Sequence, residues 1–134
     1  MFGGILLQKV FYEDEKTTIV ELKNLVKLFC DDRDWDKYHN PKDLAIGIIT
    51  ESSELLELFR FKSEKEVKKM FSNQNKKQVI MNELSDVFYF ILRLAEKYDI
   101  DLSLELYKKI NENNKKYPVE ICKGSSKKYD ELLV

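Results

Sequence analysis

The segment NELSDVFYFILRLA (82–95) sets Phe88, Tyr89, Phe90, Ile91, Leu92 and Leu94 around nearly the whole circumference of a helix. A helix that is apolar all round has to be buried. Four helices of one small chain would struggle to cover it, so the segment predicts a helical bundle that self-associates. Yet the same helix opens with two carboxylates, Glu83 and Asp86. Upstream, TESSELLELF (50–59) repeats the pattern, with Glu51 and Glu54 among Leu55, Leu56, Leu58 and Phe59. Carboxylates are among the residues least often buried unless they are paired or hold a metal. Any fold for this chain must therefore bury two acidic pairs together with its core.

Composition agrees with an all-α fold. The chain has 134 residues, 4 Gly and 2 Pro, is 43% hydrophobic and 35% charged, and is rich in Leu, Glu and Lys. Few breakers and many helix formers favour helices, and the length suits one domain with a real core. Lys plus Arg number 23 against 24 Asp plus Glu, for a formal charge of −1. That balance offers no electrostatic case for a nucleic-acid polymer or an anionic membrane as partner. No apolar run approaches the roughly 18–20 residues of a membrane span. Cys30 and Cys122 fit neither a metal spacing nor a disulfide framework, which makes a reducing, cytoplasmic setting the expectation. The opening MFGGILLQKVFYEDEK lacks the basic start and small-residue cleavage site of a signal peptide. Residues 1–16 read as an extension with no assigned role, and 17–134 as the domain.

Helical spacing of Leu22, Leu25, Val26, Phe29 and Cys30 predicts a first helix capped by Thr17 or Thr18 and running through IVELKNLVKLFCDDRDW. Pro41 breaks the chain at KYHNPKD and suits the first turn of a second helix, over 42–61. KSEKEVKKMFSNQNKK reads as a charged connection with room for a short helix from Ser63. A third long helix is expected over 78–98, and a fourth ends before Pro118. The tail VEICKGSSKKYDELLV reads as a loop. The sum is an antiparallel bundle of about four main helices.

Residues three apart share a helix face, so Glu51 and Glu54 point one way, as do Glu83 and Asp86. Glu51 falls inside the stripe Leu44, Ile48, Leu55, Leu58; Glu83 and Asp86 lie between Val79 and Phe90. Packed face to face, the two helices gather four carboxylates, whose mutual repulsion calls for a cation. Hard oxygen ligands without Cys or His suit Mg²⁺ or Mn²⁺. A Glu-x-x-Glu pair alone is usually solvated helix surface, as Glu57, Glu64, Glu66, Glu96 and Glu112 are read here. Two pairs, each on an apolar side, mark a site. A di-iron bundle would need Glu-x-x-His on two helices, and the chain's one histidine, His39, lies in the Pro41 turn.

Glu51-x-x-Glu54 and Glu83-x-x-Asp86, separated by 28 residues, resemble the signature of MazG-like nucleotide pyrophosphohydrolases of the all-α NTP pyrophosphatase superfamily. RDWDKYHNPKDLA (33–45), KINENNKKYPVE and KGSSKKYDEL are similar to flanking segments of its dCTP pyrophosphatase branch. The likeness spans roughly residues 17–132. It implies Mg²⁺-dependent hydrolysis of a (d)NTP to a (d)NMP and pyrophosphate, on dCTP or a related pyrimidine nucleotide, by a homodimer or homotetramer. By the same resemblance Glu51, Glu54, Glu83 and Asp86 form the metal cluster, with Glu51 or Glu54 orienting the attacking water and Glu51 favoured as base. Lys109, Asn113, Lys116 and Tyr117, then Lys127, Lys128 and Tyr129, match positions that contact phosphate and sugar. Trp35 and His39 match residues that enclose the base, and Phe61 stands where relatives often carry tryptophan. The same machinery acting on dUTP or damaged nucleotides is the nearest alternative. A helical module that senses nucleotide without turnover is the other.

Overall fold

The computed structural model of the chain describes residues 11–132. Among them the regular structure is all helix: α1 (Ile19–Asp31), a 3₁₀ turn (Asp36–Tyr38), α2 (Pro41–Phe59), α3 (Glu64–Ser72), α4 (Gln74–Lys97), α5 (Leu102–Lys116), and the single turns α6 (Val119–Cys122) and α7 (Tyr129–Leu132). The all-α expectation is met. The extension expected over 1–16 lies mostly outside the described residues. The chain divides into two compact units between Asp99 and Ile100, and each is described by itself.

In the first unit every long helix starts on a side-chain cap. Thr18 and Glu21 form a reciprocal capping box, with Glu21 accepting from the Thr18 amide at 2.7 Å. Asn40 caps α2 with Pro41 in its first turn, and Ser63 with Glu66 caps α3. Such caps satisfy amides that a helix N-terminus leaves without partners. Asn73 ends α3 and caps α4 by accepting from the Lys76 amide at 3.0 Å.

α4 is the central element and packs against α2, α1 and α3, most extensively against α2. The core consists of Val26 and Cys30 from α1, Leu44 from α2, Met70 from α3, and Ile80, Leu92 and Ala95 from α4. Gly47 explains the close approach of α2: a Cβ there would lie 2.5 Å from the ring of Phe90. Phe59 stacks on Phe71 with ring centroids 6.2 Å apart, joining α2 to α3.

Several boundaries differ from expectation. α1 stops at Asp31, because Asp34 adopts a positive φ of 53° and the Trp35 amide turns back onto the Cys30 carbonyl. α2 ends at Phe59, and Phe61 at φ 59° breaks the path beyond it. The short helix that the charged connection had room for is present as α3, nine residues capped by Ser63 as expected. α4 begins at Gln74, ahead of the expected Gln78, because Asn73 supplies a cap. The expected tail loop contains α6 and α7.

In the second unit Asp101 caps α5 by accepting from the Leu104 amide at 2.9 Å. The helix ends where the Tyr117 amide donates to the Asn113 carbonyl, just before Pro118. No helix among the described residues is long and apolar enough to cross a membrane.

Candidate active site

Along α2 the stripe Leu44, Ile48, Glu51, Leu55, Leu58 is turned inward, while Ile49 and Leu56 stand exposed. The inward stripe brings Glu51 onto α4. Oxygens of Glu51, Glu83 and Asp86 all lie within 4.8 Å of one another, with the two glutamates half-buried and Asp86 exposed. Gly47 meets Phe90 one turn away on both helices, so α2 and α4 run antiparallel and the tight crossing sits beside the carboxylates.

Burial, first, and then the negative charges of Glu54, Asp86 and Glu83 push the Glu51 pKa above the ordinary carboxylate value. Glu83 is raised likewise, by burial and then by Glu54 and Asp86. Glu54 itself is exposed and stands outside the tight trio, yet its charge acts on both half-buried glutamates. One oxygen of Glu83, Oε2, is shut off from solvent and accepts no hydrogen bond from the described residues. A buried acceptor without a donor is costly, and here a cation would satisfy it. Several carboxylate oxygens with no thiol or imidazole among them fit a hard divalent ion.

The expected base-enclosing residues belong to an aromatic cluster. The Trp35 ring stands edge-on to Phe29 at 5.6 Å and to His39 at 6.3 Å, and Phe29 meets Tyr89 at 6.0 Å. Tyr89 reaches Cys30, with its hydroxyl 3.2 Å from the thiol. Leu25, Val26, Phe29 and Tyr89 line an apolar pocket in this region. Phe61 stands apart from these ring contacts, 92% exposed, with the Arg60 guanidinium 4.6 Å over its ring.

Sequence reasoning missed Phe29 as the partner of Trp35, and Tyr89 behind Phe29. It also missed Arg93, which is 1% exposed. Arg93 donates from Nε to His39 Nδ1 at 2.9 Å, from Nη2 to Asp36 at 2.9 Å and from Nη1 to Glu96 at 2.5 Å. A charged residue breaking an otherwise apolar run was the signal available for it.

In the second unit, Lys109 pairs with Glu112 at 3.2 Å, Asn113 is half-buried and Lys116 is exposed. Tyr117 and Tyr129, expected on separate segments, meet edge to face at 6.2 Å. Lys127 and Lys128 are exposed, their amides donating to Ser125 and Glu131.

Fold and carboxylate site together describe an all-helical hydrolase of the pyrophosphatase class. The chain belongs to the MazG-like family, which it matches over residues 46–132. It is 32% identical over 115 residues to human dCTP pyrophosphatase 1, spanning 86% of this chain and 68% of that protein. The cattle protein of the same name is 30% identical over 122 residues, or 91% and 72% of the two chains. A crystal structure of a pyrophosphatase from Archaeoglobus fulgidus superimposes with a TM-score of 0.71 at 32% identity, covering 82% of this chain and 99% of that one.

Proposed function

We propose that this enzyme hydrolyses a deoxynucleoside triphosphate between its α and β phosphates, with dCTP or a related pyrimidine nucleotide as substrate, and that it works in the cytoplasm. The observation that carries the chemistry is the carboxylate trio Glu51, Glu83 and Asp86 with its unsatisfied Glu83 oxygen. Glu51, Glu54, Glu83 and Asp86 would hold Mg²⁺, with Mn²⁺ able to replace it. The ion, when bound, neutralises phosphate charge and makes a bound water more acidic. Glu51, beside Glu83 and Asp86 on the inward face of α2, takes the proton of the attacking water. The water oxygen bonds to the α-phosphorus as the bond to the bridging oxygen breaks, and pyrophosphate leaves.

Substrate preference rests on the named relatives and on the aromatic group around Trp35 and His39. Stacking on an aromatic wall contributes roughly 1–3 kcal/mol per base and tolerates any base. Choice must come from size and from polar groups that read the base edge. Phe61 as a wall of the base pocket, and Lys109, Asn113, Lys116, Tyr117, Lys127, Lys128 and Tyr129 as contacts to phosphate and sugar, rest on the family resemblance. Self-association into a homodimer or homotetramer is supported by the apolar side chains that α2 and α4 leave exposed.

The test is a panel of the eight common NTPs and dNTPs with Mg²⁺, assayed separately for pyrophosphate and orthophosphate. Pyrophosphate from dCTP, abolished by EDTA, is expected. Stepwise orthophosphate release would overturn the cleavage position, and equal turnover of dATP or dGTP would overturn the pyrimidine preference. Preference for dUTP or a damaged nucleotide would move the same chemistry to another base. Binding without turnover would make the chain a sensor.

A further inference from the structure

His39 sits between the 3₁₀ turn and the Asn40 cap of α2, and two cations of α4 fasten that segment. Lys97 donates to the Asp36 carbonyl at 2.6 Å and pairs with its carboxylate at 3.1 Å. Arg93, wholly buried, spends its guanidinium on Asp36, Glu96 and the imidazole of His39. Arginine has only N–H donors and stays protonated. The ring nitrogen facing Arg93 Nε at 2.9 Å, Nδ1, must therefore be the unprotonated acceptor. In a neutral imidazole the proton then belongs to Nε2.

We propose that Arg93 is a positioning residue for base selection, fixing His39 as the Nε2–H tautomer so that it offers the base edge a hydrogen-bond donor and no acceptor. The edge it reads must present a carbonyl oxygen or an unprotonated ring nitrogen, as cytosine does with O2 and N3. An exocyclic amino group or a ring N–H facing the same nitrogen would leave two donors opposed. The selection role rests on the assignment of His39 to the base made above; the tautomer does not.

The groups facing the ring agree with this state. Burial, then the charges of Arg93 and Lys97, hold the His39 pKa below its ordinary value of 6.5, with Asp36 opposing them. Protonating Nδ1 would also set one donor against another. The neutral ring is thus the form that the surrounding 3₁₀ turn and α4 accept.

Because the chain has 1 histidine, the imidazole signals in nitrogen NMR of the isotope-labelled full-length protein belong to His39. The unliganded protein should show a single Nε2–H tautomer that titrates below pH 6.5. Arg93→Lys keeps the charge but loses the fork. It should mix the tautomers and raise KM for dCTP by roughly tenfold, about one hydrogen bond, with kcat little changed. Measured beside it, His39→Ala should raise KM at least as much. An Nδ1–H tautomer in the unliganded protein would overturn the proposal without any variant. So would Arg93→Lys with unchanged KM when His39→Ala raises it. Should His39→Ala leave KM unchanged, His39 does not read the base and the selection role falls with that assignment. A failure of dCTP to be hydrolysed at all would instead count against the proposed reaction.

Discussion

Oε2 of Glu83, shut away from water and without a donor among the described residues, makes the cluster costly when it holds no cation. Mg²⁺ should accordingly raise the thermal midpoint of the protein in a concentration-dependent way, as any ligand of the native state does. Glu83→Gln should abolish that rise, and in EDTA it should melt no lower than the parent protein, since one repelling charge is gone. Calorimetry with and without Mg²⁺ decides this; equal Mg²⁺ stabilisation in both proteins would remove Glu83 from the ion. Asp86→Asn and Glu54→Gln should each cost at least about a hundredfold in kcat, more than is typical of an outer partner. Near-normal turnover in both would sink the cluster as the catalytic centre. Gly47 offers a separate test on the same face. Gly47→Ala places a methyl 2.5 Å from Phe90, and overpacking costs roughly 1–3 kcal/mol, partly offset by about 1 kcal/mol of helix propensity. A net loss near 1 kcal/mol is expected in urea unfolding, shrinking when Phe90→Leu makes room. Unchanged stability would mean that the two helices adjust freely.

Among the elements, the Asp36–Tyr38 turn and its fastening to α4 carry a pH signature. The folded state lowers the His39 pKa, so it disfavours the protonated ring relative to the unfolded chain. The corresponding stability is fully present above pH 6.5 and is lost as pH falls through the lowered folded value. Removing the Arg93 charge with Arg93→Met should move the His39 titration upward; an unmoved titration would show that the Arg93 charge does not set it. Asn73→Ala should cost about 1 kcal/mol as a lost cap, a loss absent if the α3–α4 junction were held by packing alone. This junction also shows where sequence reading stops. The acidic pairs were legible because spacing of three on an apolar helix face is a local pattern; Glu51, Glu83 and Asp86 lie together, while Glu54 stands exposed outside the trio. Helix starts were legible where Thr18 and Ser63 preceded a glutamate at the right distance. Asn73, read as part of a charged connection, became a cap because α3 packs on α4, a tertiary fact. Gly47 reads as an ordinary helix glycine until Phe90 is seen above it. Arg93 looked like an interruption of an apolar run, since its partners Asp36 and His39 lie more than fifty residues away in sequence.

For the whole molecule, the first unit leaves Ile49 67%, Leu56 64% and Leu84 56% exposed. An open groove on α4 is lined by Met81, Leu84, Val87, Phe88 and Ile91. Exposed apolar surface of this kind marks an association site. Sedimentation should show an oligomer at micromolar concentration, and Leu84→Glu should shift it toward monomer; a monomeric parent protein would end the expectation of self-association. The tail residues Lys127 and Lys128 are best tested alone: replacing both with Ala should weaken substrate binding if they meet phosphate, and unchanged KM would release them from that role. α4 carries Asp86 and Arg93 seven residues apart on one unbroken helix, two turns or about 10 Å along its axis. On the proposed reading this helix is a ruler. The end that meets phosphate and the end that fastens the base-reading histidine keep a spacing that no hinge can change without breaking the helix. A nucleotide is then measured against a fixed length, and a poorly fitting one fails by reach before any question of closure arises.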